Sequence, residues 1–140
     1  MDKARYIEPL ASGGDLTITE DGWFIQFYFS GPDLRHNGQF VTIQSIEIDA
    51  YINAFKNNFL KYIELQKTIP EDGEFTMKGE CNMNIGCGGY HNGVTIAAWY
   101  NHLRNSCYPI CTQSQLDSVV CDLEYSKIRA TEIFNLLFGK

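Results

Sequence analysis

Between Ser45 and Pro70 the apolar residues Ile48, Ile52, Phe55, Phe59 and Ile63 follow one another at steps of four, three, four and four. Steps of three and four keep side chains on one stripe of a 3.6-residue helix, so this segment must bury that stripe against another layer. Asn53, Lys56, Asn57, Lys61 and Glu64 fall mainly elsewhere. Ser45 supplies a capping hydroxyl, and Glu47 and Asp49 place negative charge at the positive end of the helix dipole. Pro70 closes the region.

The layer that receives such a helix is legible on either side of it. Residues 1–14 read as an irregular lead-in. Leu16-Thr17-Ile18-Thr19 alternates apolar and polar as a strand does. Asp21-Gly22 is a hairpin signal, because both residue types tolerate positive φ. Residues 23–29, apolar on both faces, read as a central or doubly covered strand. A third strand is expected over residues 39–43.

Beyond the helix, residues 75–85 alternate throughout. Phe75, Met77, Gly79, Cys81, Met83 and Ile85 point one way, and Thr76, Lys78, Glu80, Asn82 and Asn84 the other. This predicts one half-buried strand whose open face, carrying Thr76, Lys78, Glu80 and Asn82, offers a docking surface. A glycine-rich connection, residues 86–93, leads to a returning strand over 94–100. Thr112 with Gln115 fits a capping box. Leu116, Val119, Val120, Leu123, Ala130, Ile133, Phe134 and Leu137 carry a helical stripe to the end, weakened near Tyr125-Ser126, where a break is expected. The fold class predicted is α+β: a mainly antiparallel sheet in the order β-β-β-α-β-β-α, with two main helices packed on one face. At 140 residues the chain reads as a single domain, 1–140, with no internal repeat.

Charge narrows the partners. Eleven basic against 17 acidic residues give a net charge of −6. Such a surface repels phosphate backbones and anionic headgroups and favours a basic protein, though solubility alone also explains it. No direct nucleic-acid or membrane contact is expected. Residues 1–5 lead into no apolar signal core, and no apolar run approaches the ~20 residues of a membrane span, so a cytoplasmic location is expected. The five cysteines, Cys81, Cys87, Cys107, Cys111 and Cys121, fit reduced thiols there; one or two disulfides stay open for an exported chain.

Catalytic signatures are weak. The 86–93 loop lacks both the lysine of a phosphate-binding loop and the third glycine and following helix of a dinucleotide fingerprint, so a hairpin connection is preferred. Cys87 and His91 share that loop, but nothing marks a third, orienting group. Cys107 and Cys111 have a zinc-like spacing without a convincing second pair. No catalytic residue, metal or cofactor is therefore expected, and the chain is not expected to be an enzyme. Acidic groups at Glu71, Asp72 and Glu74 and at Asp117, Asp122 and Glu124 are solvated surface in the plain reading. They also suit an inhibitor that meets a basic cleft and gains association rate from steering. Trp99, Tyr100 and Tyr108 flank Arg104, residue types enriched at interface hot spots; most aromatics belong to the core, and Tyr90 and Tyr108, in loop contexts, are the candidate exposed anchors. The preferred function is a small acidic protein-binding inhibitor, such as a bacterial toxin-immunity protein that occludes a basic toxin or nucleic-acid enzyme. The alternatives are a small-molecule binder or enzyme built on Gly86 to Gly93, a phage-type inhibitor of a host defence protein, and a self-associating structural module.

Overall fold

The computed structural model describes residues 5–28, 40–70, 72–87, 93–97 and 107–139. Its first half runs β1 (Arg5–Pro9), β2 (Gly14–Thr19), β3 (Gly22–Tyr28), β4 (Phe40–Gln44) and helix α1 (Ile48–Thr68). The second half runs β5 (Phe75–Lys78), β6 (Asn84–Cys87), β7 (Gly93–Ala97), β8 (Cys107–Ile110) and helix α2 (Gln113–Phe138). Each set of four strands is an antiparallel meander in chain order, β1-β2-β3-β4 and β5-β6-β7-β8. The α+β class, with antiparallel strands and two main helices, is the observed one, and each meander carries more strands than the sequence announces.

The helices are exchanged between the halves. Helix α1, which follows the first sheet, packs on β6 and β7 of the second; α2, which follows the second, packs on β2 and β3 of the first. The buried stripes explain the exchange. Leu16, Ile25 and Ile43 form one cross-strand row in the first sheet, and Ile85, Val94 and Ile110 form one in the second. All six are buried and join Ile48, Ile52, Phe55 and Phe59 of α1 and Leu116, Val119, Leu123 and Ile133 of α2 in one continuous cluster. At roughly 1.5–3 kcal/mol per buried large aliphatic or aromatic side chain, this shared core supplies the main driving force for folding.

Several local expectations change. Strand β1 was not foreseen: its inward side carries Tyr6 and Glu8, not apolar residues, so it lacks a hydrophobic period, and Pro9 is tolerated because β1 is an edge strand. In the β2–β3 hairpin, Thr19 pairs with Gly22, leaving Glu20 and Asp21 as the loop; Gly22 alone has positive φ, +139°. Ser45 does not cap α1. Residues 45–47 make one 3₁₀ turn, and the Glu47 carboxylate accepts the Gln44 N–H at 3.0 Å.

The eleven-residue strand expected over 75–85 is instead a hairpin. Cys81 (φ 53°, ψ 34°) and Asn82 (φ 58°) are both left-handed, and the Met83 N–H donates to the Glu80 carbonyl at 3.1 Å. These are the features of a type I′ turn, whose twist matches that of paired strands. Cys-Asn is not the usual Asn-Gly signal, and perfect alternation on both sides hides the reversal. Asn58 of α1, 3% exposed, holds the turn. Its Oδ1 accepts the Glu80 N–H at 2.9 Å and its Nδ2 donates to the Glu80 carbonyl at 3.1 Å. Glycine is required at position 79, since a Cβ there would lie 2.4 Å from Asn58 Oδ1. Cys81, expected on a buried strand face, is exposed at the turn.

The remaining hairpin and the last helix lie where the sequence placed them, with Gly86, Cys87 and Gly93 taken into strands and not into the connecting loop. Gly86 pairs with Gly93 across β6 and β7, while residues 88–92 lie outside the described residues. Thr112 Oγ1 accepts the Gln115 N–H at 3.1 Å, and Gln115 Oε1 accepts the Thr112 N–H at 3.1 Å. Helix α2 runs unbroken through Tyr125 and Ser126, because buried Ser126 fills the gap in the stripe between Leu123 and Ala130.

Candidate functional site

Helix α2 buries one face and shows a patterned face to solvent. Successive residues turn by about 100°, so Asp117, Cys121, Glu124, Tyr125, Ile128, Glu132 and Leu136 fall together, opposite the buried stripe. All are exposed, and the apolar members are large: Tyr125 is 41%, Ile128 69% and Leu136 78% exposed. The result is an outward strip with an apolar centre and three carboxylates.

The cations of α2 are drawn mainly away from this strip. Lys127 Nζ is drawn to Asp49 of α1 at 2.6 Å. Arg129 turns the other way, its Nε donating to Glu8 Oε1 of β1 at 3.0 Å and its Nη2 to the Tyr6 hydroxyl at 3.3 Å. Its Nη1 lies 4.0 Å from Glu132, a marginal contact. The two cations therefore serve as ties to neighbouring elements.

Glu8 is the centre of the second tie. Tyr6 donates to its Oε1 at 2.6 Å, and Tyr125 donates to its Oε2. Burial alone would raise the Glu8 pKa, but the hydrogen bonds from Tyr125, Tyr6 and Arg129 outweigh it and hold the carboxyl below its usual range. The same bond to Glu8 pushes the Tyr125 hydroxyl up. Tyr125 is thus anchored at its tip while its ring edge stays in the strip, an arrangement that lowers the side-chain entropy lost when a partner covers it.

Among the described residues, grooves open on both sides of the start of β3, one of them against α2. One, of about 260 Å³, is lined by Gly22, Trp23, Ala130, Thr131, Phe134 and Asn135 and opens next to the strip. The other, of about 310 Å³, lies on the far side of Trp23, between Thr19, Asp21, Phe24 and Gln44.

The residues singled out from the sequence divide sharply. Asp117 and Glu124 lie on the strip, with Asp117 also accepting from Gln113 Nε2 at 2.9 Å. Asp122 does not belong to a binding surface: it is 6% exposed, and its carboxylate accepts the Ser12 N–H at 2.7 Å and the Ser12 hydroxyl. It faces the β1–β2 connection because it sits about a quarter turn away from the outward strip. Asp72 and Glu74 are exposed in the link between α1 and β5, not on α2. Glu71 and Tyr90 lie outside the described residues, as does the side chain of Tyr108, whose backbone belongs to β8. The docking face expected at Thr76, Lys78, Glu80 and Asn82 is not one strand face. Thr76 and Lys78 are on β5, whereas Glu80 and Asn82 form the turn, with Glu80 taken up by Asn57 Nδ2 at 3.2 Å.

Cys81, Cys87, Cys111 and Cys121 are free thiols, and among the described residues no group of three or more His, Cys, Asp or Glu is placed to hold a metal ion. Cys87 is half-buried on β6; His91, His102, Trp99, Tyr100 and Arg104 lie outside the described residues. Among the described residues no helix is long and apolar enough to cross a membrane. Sequence reasoning missed Tyr125, Ile128, Glu132 and Leu136, although their spacing of three, four and four was there to be read as a second stripe on α2. Neither a family model, a curated protein nor a solved structure matches the chain.

Proposed function

We propose that this chain is a protein-binding inhibitor that covers a basic surface of its partner with the outward face of α2. The observation that carries the reading is the tying-off of Lys127 by Asp49 and of Arg129 by Glu8, which leaves Asp117 and Glu124, with Glu132 in a 4.0 Å contact to Arg129, around exposed Tyr125 and Ile128. An apolar centre with a charged surround is the composition of an interface that excludes water around an aromatic anchor. The carboxylates, within a chain of net charge −6, steer a cationic partner toward it. A protein that acts on nucleic acid presents such a cationic cleft, so inhibition proceeds by occlusion, with no bond made or broken. Immunity to a co-produced toxin and blockade of a host defence protein are both instances of this mechanism, acting in the cytoplasm.

The test is capture from host lysate with wild-type protein and with an Ile128→Glu/Glu124→Lys variant, at low and high salt. A basic protein retained by wild type, lost by the variant, and inhibited in its own activity by the purified wild-type chain is the expected outcome. Equal retention by the variant would remove α2 as the contact surface.

A further inference from the structure

The strip on α2 is linear, and that shape restricts what covers it. From Asp117 to Leu136 it extends about 28 Å along one helix axis, at 1.5 Å per residue. Apart from the adjacent pair Glu124-Tyr125, its members recur at steps of three or four, so acidic and apolar groups are interspersed with the period of a helix and not of an extended strand. A second helix lying along α2 meets every step of such a pattern, its ridges entering the grooves between side chains. The strip's own charges are all carboxylates: Lys127 is engaged with Asp49 and Arg129 mainly with Glu8, the Arg129 guanidinium reaching only Glu132 among them, at 4.0 Å. At its edge, Thr131 and Asn135 turn the strip into the wall of the 260 Å³ groove floored by Trp23 and Phe134, large enough for one leucine or aromatic side chain.

Resting on the binding role given to this face above, we propose that its occupant is a cationic amphipathic helix of the partner. Lys or Arg residues of that helix pair with Asp117, Glu124 and Glu132, its apolar stripe covers Tyr125, Ile128 and Leu136, and one larger apolar side chain enters the groove beside Trp23. This is recognition of a helix by its face, with specificity set by residue order and not by charge alone.

The experiment uses the whole ¹⁵N-labelled protein and a designed peptide of about 20 residues built from Leu, Lys and Ala, with Leu and Lys at helical spacing. A peptide of identical composition in scrambled order is the control. The expected result is amide shifts confined to the outward positions of residues 117–136 and to Trp23, a gain of peptide helicity, and binding at least about tenfold tighter than the scrambled peptide. Ile128→Glu should remove that advantage while the thermal melt of the protein stays in place. Equal binding of ordered and scrambled peptides, or shifts centred elsewhere, overturns the proposal. If the lysate partner depends on α2 yet the ordered peptide has no advantage, the binding role stands and the helical occupant falls. If partner capture is itself indifferent to α2, both fall.

Discussion

Replacing Asn58 by alanine tests how the second hairpin is held. The Asn58 side chain reaches from α1 to the left-handed turn, accepting the Glu80 N–H at 2.9 Å and donating to the Glu80 carbonyl at 3.1 Å and to Met83 Sδ at 3.3 Å. In Asn58→Ala the Glu80 carbonyl keeps its bond from the Met83 N–H, whereas the Glu80 N–H loses the partner described here. An orphaned donor costs about 1–3 kcal/mol and a lost satisfied bond about 1 kcal/mol. With a small cavity added, the expected loss is roughly 2–4 kcal/mol. In urea, with a slope of about 1.5–2 kcal/mol/M, the midpoint should fall by roughly 1–2.7 M. Gly79→Ala supplies the internal check. Its added Cβ would sit 2.4 Å from Asn58 Oδ1, so it should be severely destabilising in wild type and milder when Asn58 is already alanine, where the close contact left is the flexible tip of Ile85, Cδ1 at 2.9 Å. The two losses should therefore fail to add. A cost for Asn58→Ala below about 0.5 kcal/mol, within the range of ordinary surface changes, or simple additivity with Gly79→Ala, would refute the clamp.

Three further outcomes follow from polar groups at the contacts of α2. Because Glu8 has a lowered pKa in the fold, its contribution is present above the ordinary carboxyl value of 4.5 and is lost as pH falls through the lower folded value. Thermal melts between about pH 6 and pH 3 should show wild type losing stability more steeply than Glu8→Gln; parallel curves would contradict the assignment. Asp122→Ala should cost about 1–3 kcal/mol by removing the carboxylate that accepts the Ser12 N–H and hydroxyl, with Asp122→Asn costing less, and neither should change partner affinity once the protein is folded. The Ser126 hydroxyl is buried with no hydrogen-bond partner among the described residues, so Ser126→Ala should stabilise the protein by about 1 kcal/mol, read as a raised unfolding midpoint.

What the chain determines locally is what could be read from it. The stripe from Ile48 to Phe59, the Thr112 cap with Gln115, and the chain reversals between β2 and β3 and between β6 and β7 each rest on neighbours within four residues or on one hairpin. Helical and strand periods, caps and turn residues are properties of such short windows, and they survive into the fold. The same rules mislead where a window contains two answers. Residues 75–85 alternate whether they run straight or fold back, and only Asn58, a residue of another element, selects the turn.

Which sheet a helix covers is not local at all. Nothing in the stripe of α1 distinguishes the first row of Leu16, Ile25 and Ile43 from the second row of Ile85, Val94 and Ile110, since apolar burial is non-directional. The exchange of helices between sheets decides that β1 lies beside α2 and that α1 lies on its other flank. That placement sends Arg129 to Glu8, Lys127 to Asp49 and Asp122 to Ser12. By sequence alone, Asp117, Asp122 and Glu124 are three equivalent acids on one helix. Tertiary contact buries one, leaves two on the surface, and withdraws the cations that would have neutralised them, because charges pair with whatever packing brings within reach.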